Sequence, residues 1–387
     1  MSRPGVIHTL ARVALADGGP SRTVVALCRA LAAEGARVEL LAGSVESADL
    51  GVPVRVSGTI RRWGREQPPR RRFRALLEER IRDGQFGIVH DHGIWLGSNR
   101  AAADAAARAG VPRIVSPRGM LSEWALAWRG RRKRAAWLAY QRRDLRAADV
   151  LHATSELEAR EIRAAGIGVP VAVVPNGVDL PPLREGPPVD RSAVGRGLRR
   201  LLFLSRIHPK KGLADLIDAW GATRPAGWEL VIAGPDEGGH RAEIEARARA
   251  LGPDAAVRFR DPVPDAGKWD LYGTADLFVL PSRSENFGVV VAEALASGVP
   301  VITTRAAPWE ALGEQRCGWW TEPGVEPLAR AIAEATGIGD AERRAMGARG
   351  RQLVEEGFAW PAVARRMLAV YRWLAGEGAT PEWVRRN

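Results

Sequence analysis

Short apolar, β-branched runs alternate with helical stretches along the chain, and this alternation restricts the fold more than any other feature. Six such runs in the first half are predicted strands: Val6–Leu10, Val38–Leu41, Ile88–His90, Arg113–Ser116, Val150–Ala153 and Val171–Val174. Helical stretches, among them Arg22–Glu34 and Glu156–Ala165, lie between them. Strands that are apolar throughout are covered on both faces, so the pattern predicts an α/β fold built on a parallel sheet.

A segment without apolar periodicity divides the chain into two halves that share this pattern. Residues 180–197 hold four prolines and three glycines, and the alternation resumes at Leu201–Ser205. Further predicted strands are Glu229–Ala233, Asp276–Leu280 and Val299–Thr303. We therefore predict an N-terminal domain at 1–180, a linker at 181–199 and a second α/β domain from residue 200. Parallel sheets bind ligands at the carboxyl ends of their strands, so the cleft between the domains is the expected ligand site.

The positive charge of the chain is concentrated in one segment. Lys and Arg outnumber Asp and Glu by 57 to 45, which gives a net charge of +12. Residues 60–146 contain 21 basic and 8 acidic side chains, whereas the rest of the chain contains 36 and 37. This distribution argues against a nucleic-acid-binding coat over the whole protein.

The composition also argues against several other classes of protein. Hydrophobic residues make up 46% and charged residues 26%, which is the balance of a globular rather than a disordered chain. No apolar run reaches the ~18–20 residues of a membrane-spanning helix, and a predicted strand starts at Val6, too early for a signal peptide. Cys28 and Cys317 are too few and too far apart for a disulfide framework, so we expect a reducing, cytoplasmic location.

The segment Ser205–Leu213 combines rare lysines with an arginine. Only four basic residues of the chain are lysines, and two of them, Lys210 and Lys211, lie between a predicted strand and a predicted helix. An ammonium group five residues after the Arg206 guanidinium suits the binding of a diphosphate from two directions. A solvated basic turn is the alternative interpretation.

Two glutamates flank a turn after another predicted strand. Glu285 and Glu293 are separated by seven residues, and the turn Asn286–Gly288 is followed by apolar residues. If a helix begins at this turn, its free N–H groups can bind phosphate, while Glu293 needs a polar partner such as a pair of sugar hydroxyls. A purely structural glutamate pair is the alternative. The pair Gly18–Gly19, between the first strand and the first helix, predicts either a phosphate loop or a plain turn.

Together these segments resemble the retaining family 4 glycosyltransferases, which belong to the glycosyl transferases group 1. The resemblance covers nearly the whole chain, and it is carried by Gly18-Gly19, Val174–Asp179, Arg206 with Lys211, Ala233–Asp236, and Glu285 to Glu293 with the following Ala294–Ile302. It implies the GT-B architecture, in which two Rossmann-like domains face each other across a deep cleft. It also implies a donor domain at 200–365 and a closing helix at 366–387 that crosses back to the N-terminal domain.

The resemblance also implies roles for individual residues. Arg206 and Lys211 would bind the donor diphosphate and stabilise the departing nucleotide, and Glu293 would bind the ribose hydroxyls. Glu285 would hold the donor sugar together with the turn that follows it. The other implied donor-site residues are Gly18, Gly19, Asn286, Phe287 and Gly288. Asp261 departs from the family pattern, because it stands where a glycine near the nucleotide base is frequent.

Two histidines end a predicted strand of the first domain. His90 and His92 flank Asp91 and could be metal ligands, but residues two apart on a strand are also ordinary neighbours on one face. The other histidines form no evident complementary ligand set; they are His8, His152, His208 and His240. We therefore expect neither a metal nor another cofactor. The resemblance makes His92 a candidate to contact the donor sugar, in a front-face reaction in which the departing phosphate takes the proton of the acceptor.

The loop Ser116–Leu126 resembles a loop of the bacterial polysaccharide-assembly members of the family. Within it, Arg118 could bind a phosphate or hydroxyl of the acceptor, or it could tie down its own loop. The segment that follows interleaves aromatic and basic residues: Trp124, Trp128, Arg129, Arg131, Arg132, Lys133, Arg134, Trp137, Tyr140, Arg142 and Arg143. This pattern suits an anionic membrane surface. A solvated basic face with buried tryptophans and, less favoured, RNA binding are the alternatives.

These observations predict a retaining, metal-independent hexosyltransferase that uses a nucleotide-diphosphate sugar as donor. The expected acceptor is a glycan linked to polyprenyl diphosphate, in exopolysaccharide or lipopolysaccharide assembly, with the enzyme peripheral on the inner face of the cell membrane and without nucleic acid. Two alternatives remain open. One is a GT-B enzyme of another reaction type, such as a nucleotide-sugar epimerase, and the other is a non-catalytic scaffold of a polysaccharide assembly complex.

Overall fold

The computed structural model describes residues 5–14, 19–46, 49–62, 65–127, 130–182, 197–264 and 267–386. The chain forms two compact units: an N-terminal unit, Met1–Gly177 with Trp360–Asn387, and a C-terminal unit, Val178–Ala359. Each unit is built on a largely parallel sheet with intervening helices, so the predicted α/β class with two Rossmann-like domains is confirmed. Among the described residues, no helix is both long enough and apolar enough to cross a bilayer.

The sheet of the N-terminal unit contains all six strands predicted for the first half of the chain. The first nine strands are β1 Gly5–Val13, β2 Arg37–Val45, β3 Val54–Val56, β4 Ile60–Arg62, β5 Arg65–Gln67, β6 Ile88–His92, β7 Arg113–Ser116, β8 Val150–Ala153 and β9 Val171–Val173. The last strand of the chain, β16 (Val384–Arg385), returns to this unit and pairs antiparallel with β9. The strand order is β16-β9-β8-β7-β6-β1-β2-β3, and β4 pairs with β5 in a separate antiparallel hairpin.

Helices cover the sheet of the N-terminal unit. They are α1 Gly19–Ala33, α2 Arg70–Arg82, α3 Gly97–Ala109, α4 Glu123–Ala127, α5 Gly130–Ala136, a π-helical turn Trp137–Gln141, α6 Arg142–Arg146 and α7 Glu156–Ala164. The apolar face of α1 is buried, including Val24, Cys28 and Leu31. In contrast, α4 and α5 bury no side chain. The segment α4–α5 is therefore held weakly by the core, because little apolar surface is removed from water there.

The C-terminal unit repeats the arrangement with a six-stranded parallel sheet. Its strands are β10 Arg199–Leu204, β11 Trp228–Ala233, β12 Val257–Arg260, β13 Leu277–Leu280, β14 Val301–Thr304 and β15 Gly318–Thr321, in the order β12-β11-β10-β13-β14-β15. Its helices are α8 Leu213–Thr223, α9 His240–Ala250, α10 Lys268–Gly273, α11 Val289–Ala296, α12 Ala311–Glu314, α13 Val325–Gly337 and α14 Asp340–Gly357. Short 3₁₀ turns lie at Pro209–Lys211 and Pro253–Ala255.

The boundaries of the units differ from those indicated by the sequence. The C-terminal unit starts at Val178, whose N–H donates to the Phe358 carbonyl at 2.8 Å, whereas the sequence predicts a first domain that ends at 180 and a second that starts at 200. The final helix, α15 (Trp360–Leu374), starts six residues before the predicted position 366 and belongs wholly to the N-terminal unit. Its apolar face buries Met367 and Tyr371 in the core that α1 also lines. Most of the predicted linker, 183–196, lies outside the described residues.

Both sheets reverse their strand order next to the first strand of the unit. In the N-terminal unit β1 lies between β2 and β6, and in the C-terminal unit β10 lies between β11 and β13. The connections leave such a pair of strands toward opposite sides, which opens a crevice at their carboxyl ends. The loops after β1, β6, β10 and β13 are therefore the positions at which each unit is expected to bind a ligand.

Candidate functional site

A buried ion pair joins the loops after β10 and β13. The Lys211 ammonium lies 2.5 Å from Glu285 Oε1, and the Ser282 hydroxyl donates to the same oxygen at 2.6 Å. The side chains of Lys211 and Glu285 are only 10% and 11% exposed, so water screens the pair weakly. The structure thus brings together Lys211 and Glu285, two side chains that the sequence assigned to the donor site from separate motifs.

The charge of Glu285 is maintained by its neighbours. Burial raises the pKa of this carboxyl, but the Lys211 charge and the hydrogen bonds from Lys211 and Ser282 outweigh that effect and hold the pKa below its ordinary value. The carboxyl group is therefore ionised at neutral pH. One N–H group of Lys211 is directed at it, which leaves the other N–H groups of this side chain to a ligand. An incoming diphosphate would meet an ammonium group that is already oriented.

Close backbone packing fixes the lysine loop. Gly212 has φ +69°, and a Cβ at this position would lie 2.0 Å from the Pro281 carbonyl oxygen. The Arg283 N–H donates to the Lys210 carbonyl at 2.9 Å, so the two loops are also joined through their backbones. A side chain at Gly212 would separate them, because Pro281 directly follows the buried strand β13 and its carbonyl cannot move away without a large cost.

Glu293 lies on α11 and binds protein groups on both carboxylate oxygens. Lys268 Nζ is 2.7 Å from Oε1, and the Tyr272 hydroxyl donates to Oε2 at 3.0 Å. The side chain is 10% exposed, as its apolar sequence context indicated. The partner that burial requires is therefore supplied by α10, and a ribose would have to share the carboxylate with Lys268 and Tyr272. The ribose-binding role of Glu293 stays a prediction.

The turn before α11 has the geometry that a helix N-terminus requires. Gly288 is the N-cap residue with φ +78°, and the helix starts at Val289, so its first N–H groups have no carbonyl partner within the helix. Phe287 is buried and its carbonyl accepts a hydrogen bond from the Trp309 indole at 2.6 Å. The turn is thereby fixed beside Asn286, and its role toward phosphate, like that of Asn286, stays a prediction.

Other predicted donor-site residues are more peripheral within their units. Arg206 pairs with Glu237 at 2.6 Å, but both side chains are about half exposed, so the pair contributes little to stability. Gly19 is the first residue of α1 with φ +48°, and a Cβ at this position would meet open space. Gly18 lies outside the described residues. Asp261 is 95% exposed and 3.5 Å from Arg241 Nη1, so its carboxylate is free to reorient.

A buried chain of hydrogen bonds occupies the carboxyl ends of the strands in the N-terminal unit. Each member donates to the next, and the order is Arg118, His92, His8, Tyr371, His90, Ser116, His152 and the Val174 carbonyl. The successive distances between donor and acceptor atoms are 3.1, 2.9, 3.4, 2.7, 2.8, 2.7 and 2.8 Å. All four histidines are buried.

The two end groups of this hydrogen-bond chain, the Val174 carbonyl and the Arg118 guanidinium, determine where the protons between them lie. The Val174 carbonyl can only accept, so His152 carries its proton on Nε2 and accepts from Ser116 on Nδ1. Each group in between must then donate toward Val174 and accept from the group before it, back to Arg118, which can only donate. All four histidines are thus neutral Nε2–H tautomers. Burial lowers the pKa of His8 and of His152 to about 3, and those of His90 and His92 well below the ordinary value.

The interpretation that the other histidines offer no complementary ligand set to His90 and His92 is wrong for His8, whose ring nitrogen lies close to theirs. His152 is not part of that set, but it joins the same cluster through hydrogen bonds. In the parallel register His8 lies opposite His90, and β8 brings His152 to the same cluster. The predicted position of His90 and His92 on one face is confirmed, with ring centroids 4.2 Å apart. His92 has both ring nitrogens engaged, so a contact with a donor sugar through either nitrogen would require a partner exchange.

Three of these histidines could also hold a metal ion. Their facing atoms, one from each of His8, His90 and His92, lie within 4.8 Å of one another. In the hydrogen-bonded arrangement every lone pair of these rings already accepts a proton, and the Arg118 guanidinium adjoins His92. A divalent cation would have to break the chain beside a positive charge, so the donor set fits protons better than a metal. Metal independence stays a prediction.

The basic, aromatic segment after Ser122 divides into exposed and packed residues. Trp124 is 45% exposed and Leu138 76% exposed, and Arg131, Arg132 and Arg134 are also exposed. The remaining aromatics differ: Trp137 packs against the core near Leu145, and the Tyr140 hydroxyl donates to the Trp95 carbonyl at 2.8 Å. Trp128 and Arg129 lie outside the described residues. The described tryptophans of this segment therefore differ: Trp124 is exposed, as a membrane-binding surface requires, whereas Trp137 is packed, as the interpretation with buried tryptophans predicts.

Several residues of these sites were not predicted from the sequence. Glu158 accepts from the Gly119 N–H and from Thr154, and so fixes the loop that carries Arg118. Lys268 could have been found, since it is one of only four lysines. No sequence pattern marks Ser282 or Tyr371 as a site residue, because the role of a single hydroxyl group depends on the hydrogen-bond partner that the fold brings to it.

Comparisons with known proteins agree with this architecture. The Glycosyl transferase 4-like domain family matches residues 18–177, and the Glycosyl transferases group 1 family matches residues 191–353. The chain is 31% identical to D-inositol 3-phosphate glycosyltransferase of Kineococcus radiotolerans, over 95% of this chain and 93% of that protein. The homologous protein of Kribbella flavida is 32% identical, over 92% and 90% of the two chains.

Solved structures share the fold at low sequence identity. Sucrose-phosphate synthase of Thermosynechococcus elongatus has a TM-score of 0.76 at 20% identity, with 97% of this chain and all of that chain covered. Anabaena HepE in complex with UDP-glucose has a TM-score of 0.71 at 18% identity, with 95% and 98% covered. Given the two family matches and the relatives that cover nearly its full length, the chain belongs to the family 4 glycosyltransferases of the GT-B fold, enzymes that transfer a sugar from a nucleotide sugar.

Proposed function

We propose that this protein is a metal-independent hexosyltransferase that retains the anomeric configuration of a nucleoside-diphosphate hexose. The observation that carries the proposal is the buried Lys211–Glu285 pair at the switch point of the C-terminal sheet. A lysine that is oriented there by a carboxylate can stabilise the negative charge that grows on a departing diphosphate. HepE, which shares the fold, is known in complex with UDP-glucose, and this supports a UDP-hexose as the first donor to test.

The proposed reaction occurs on one face of the donor sugar. The bond between the anomeric carbon and the diphosphate oxygen breaks, and the acceptor oxygen bonds to the same carbon from the same side. The proton of the acceptor hydroxyl moves to the departing phosphate oxygen, so no side chain has to act as nucleophile or base. Lys211 and Arg206 would neutralise the nucleoside diphosphate as it leaves, and the N–H groups at Gly288 would contribute partial positive charge.

We propose a glycan linked to polyprenyl diphosphate as acceptor, in exopolysaccharide or lipopolysaccharide assembly. The loop Ser116–Leu126 supports this class, because it resembles a loop of bacterial polysaccharide-assembly members of the family. The relatives that are about 30% identical are named for D-inositol 3-phosphate, so a small phosphorylated polyol is the second acceptor to test. Both acceptors carry phosphate.

The proposed donor reaction can be tested with the purified protein. We expect a UDP-hexose to raise the unfolding temperature, because a ligand that binds the folded state stabilises it, and EDTA to leave both this shift and transfer unchanged. Proton NMR of the product should show the anomeric configuration of the donor. Release of nucleoside diphosphate without an acceptor would favour the epimerase-type alternative. Absence of a shift with every nucleotide sugar would favour the scaffold.

We further propose peripheral binding to an anionic membrane through the segment α4–α5. Its support is the exposed Trp124 beside arginines that cover α5, each worth about 1 kcal/mol near an anionic surface. The protein should float with vesicles of phosphatidylglycerol at low salt and detach at high salt. The variant R131Q/R132Q/R134Q should lose flotation and keep its unfolding temperature. Failure of the unmodified protein to float at low salt would refute the proposal.

A further inference from the structure

The guanidinium of Arg118 is a partly buried cation without a counterion. It lies in the loop after β7, where Nη1 donates to Asn176 Oδ1 at 2.7 Å and Nη2 donates to His92 Nδ1 at 3.1 Å. Both acceptors are uncharged. Its Nε is buried and makes no hydrogen bond, and no carboxylate among the described residues forms an ion pair with it. Charges that are withdrawn from water in folded proteins are normally paired, so this partly buried cation, with its buried Nε left without a hydrogen bond, calls for a partner.

The hydrogen-bond chain explains why His92 cannot be that partner. His92 accepts from Arg118 on Nδ1 and donates from Nε2 to His8, so the ring is neutral. The other members of the hydrogen-bond chain contribute no negative charge either, since they are neutral histidines, hydroxyl groups and a carbonyl. Arg118 therefore faces a network that orients it through dipoles and leaves its charge uncompensated.

The carboxylate that acts most strongly on Arg118 has other partners. Glu158 accepts the Gly119 N–H at 2.7 Å on Oε1, and the Thr154 N–H at 2.7 Å and hydroxyl at 2.9 Å on Oε2. It fixes the backbone on the side of the loop next to Arg118 without contacting the guanidinium. Burial lowers the pKa of Arg118 only to about 10, so the side chain stays charged at neutral pH.

The backbone at Arg118 is held in a conformation that its side chain disfavours. Its φ is +57°, in the left-handed region where glycine is the ordinary residue, and Gly119 follows with φ +72°. A residue that only tied down its own loop would not need to be an arginine in this conformation. Strain of this kind recurs where a side chain has to be presented to a ligand.

We propose that Arg118 is the anion-binding group of the N-terminal unit and that it takes a phosphoryl group of the acceptor. Three N–H protons of the guanidinium, one on each nitrogen, remain free, and two of them can meet two oxygens of one phosphate in the bidentate geometry that arginine favours. The assignment of the anion to the acceptor rests on the proposed function. The anion site itself does not.

The test uses inorganic phosphate as probe and a variant in which the donor site is neutralised. In K211M/E285Q, phosphate is expected to raise the unfolding temperature. It should also slow hydrogen exchange in peptides from β6 to β8, which assigns the stabilisation to the N-terminal unit. Adding R118Q should weaken the apparent phosphate affinity about thirtyfold, and R118K should weaken it far less. Equal phosphate effects with and without R118Q would overturn the proposal.

Stability without phosphate separates this proposal from a purely structural arginine. Removing a partly buried cation that has no counterion should leave the unfolding temperature of R118Q equal or higher, whereas loss of an arginine that only ties down its loop would lower it. The ¹⁵N shifts of His8, His90 and His152 should still report Nε2–H tautomers, which shows that the unit is folded. If R118Q does not fold, R118M and R118K carry the same comparison, because one loses and the other keeps the charge.

Two further arms identify the source of the phosphate and keep the proposals apart. Hexosyl transfer to a soluble polyol phosphate and to a polyprenyl-diphosphate glycan in vesicles should each be measured, and R118Q should reduce the rate of transfer to whichever of the two is the acceptor. Binding of UDP-hexose should be unchanged in R118Q. If no nucleotide sugar binds while phosphate binding depends on Arg118, the function fails and the site stands. If nucleotide sugars bind and phosphate binding does not depend on Arg118, the proposed anion site is contradicted and the proposed function is not.

Discussion

Replacing Lys211 with methionine is expected to lower kcat/KM for sugar transfer about a thousandfold. The ammonium group is buried beside Glu285, and loss of one preorganised donor to a developing anion typically costs two to three orders of magnitude. The variant also leaves the Glu285 carboxylate buried without its cation, so the C-terminal unit should lose about 3 kcal/mol of stability. Initial rates with a UDP-hexose and denaturant unfolding measure the two effects.

A second substitution separates catalysis from stability. In K211M/E285Q the buried charge is gone from both sides, so we expect much of the stability to return while transfer stays about a thousandfold slower. K210M is the matched control in the same loop, and its loss should stay below about tenfold. Transfer within tenfold of the unmodified rate in K211M would remove Lys211 from the leaving-group role.

Acidification from pH 7 to 5.5 is expected to destabilise the N-terminal unit by about 4 kcal/mol. The pKa of His8 and of His152 is about 3 in the fold and near 6.5 in the unfolded chain, so the unfolded state takes up their protons first. His90 and His92 are lowered in the same direction. Stability should therefore be fully present above pH 6.5 and fall steadily as the pH drops toward 3.

Asp91 opposes this loss and supplies a control. Burial raises its pKa to about 6, although Thr9 and Asn99 donate hydrogen bonds to it, so the folded state binds this proton first. Asp91 thus adds stability as the pH falls from about 6 toward 4, and D91N should make the acid loss larger by about 1 kcal/mol. Hydrogen exchange of β6 to β8 peptides against pH measures both. A flat profile between pH 7 and 5.5 would contradict the neutral histidine chain.

The fold was largely predictable, because apolar periodicity is a local property of the sequence. Each strand predicted in the two halves has its counterpart, and the turn at Gly288 begins a helix where the sequence indicated one. Six short strands were not predicted, since strands of two to four residues hold few apolar positions from which a pattern can be recognised; they are β3, β4, β5, β12, β15 and β16. The predicted start of α15 was also wrong: Arg365 and Arg366 interrupt an apolar face whose buried residues begin at Val363.

The sequence by itself determined which chemical groups were available: a rare lysine after one strand, two glutamates around a turn, and histidines at the end of another strand. Tertiary structure decided their partners. It pairs Lys211 with Glu285, engages Glu293 through Lys268 and Tyr272, and joins His92 to His8 and Arg118. The physical reason is the distance along the chain over which each interaction acts. Strand propensity acts between neighbours in the chain, whereas the charge of a buried group depends on side chains that only the register of the parallel sheet brings within a few ångströms.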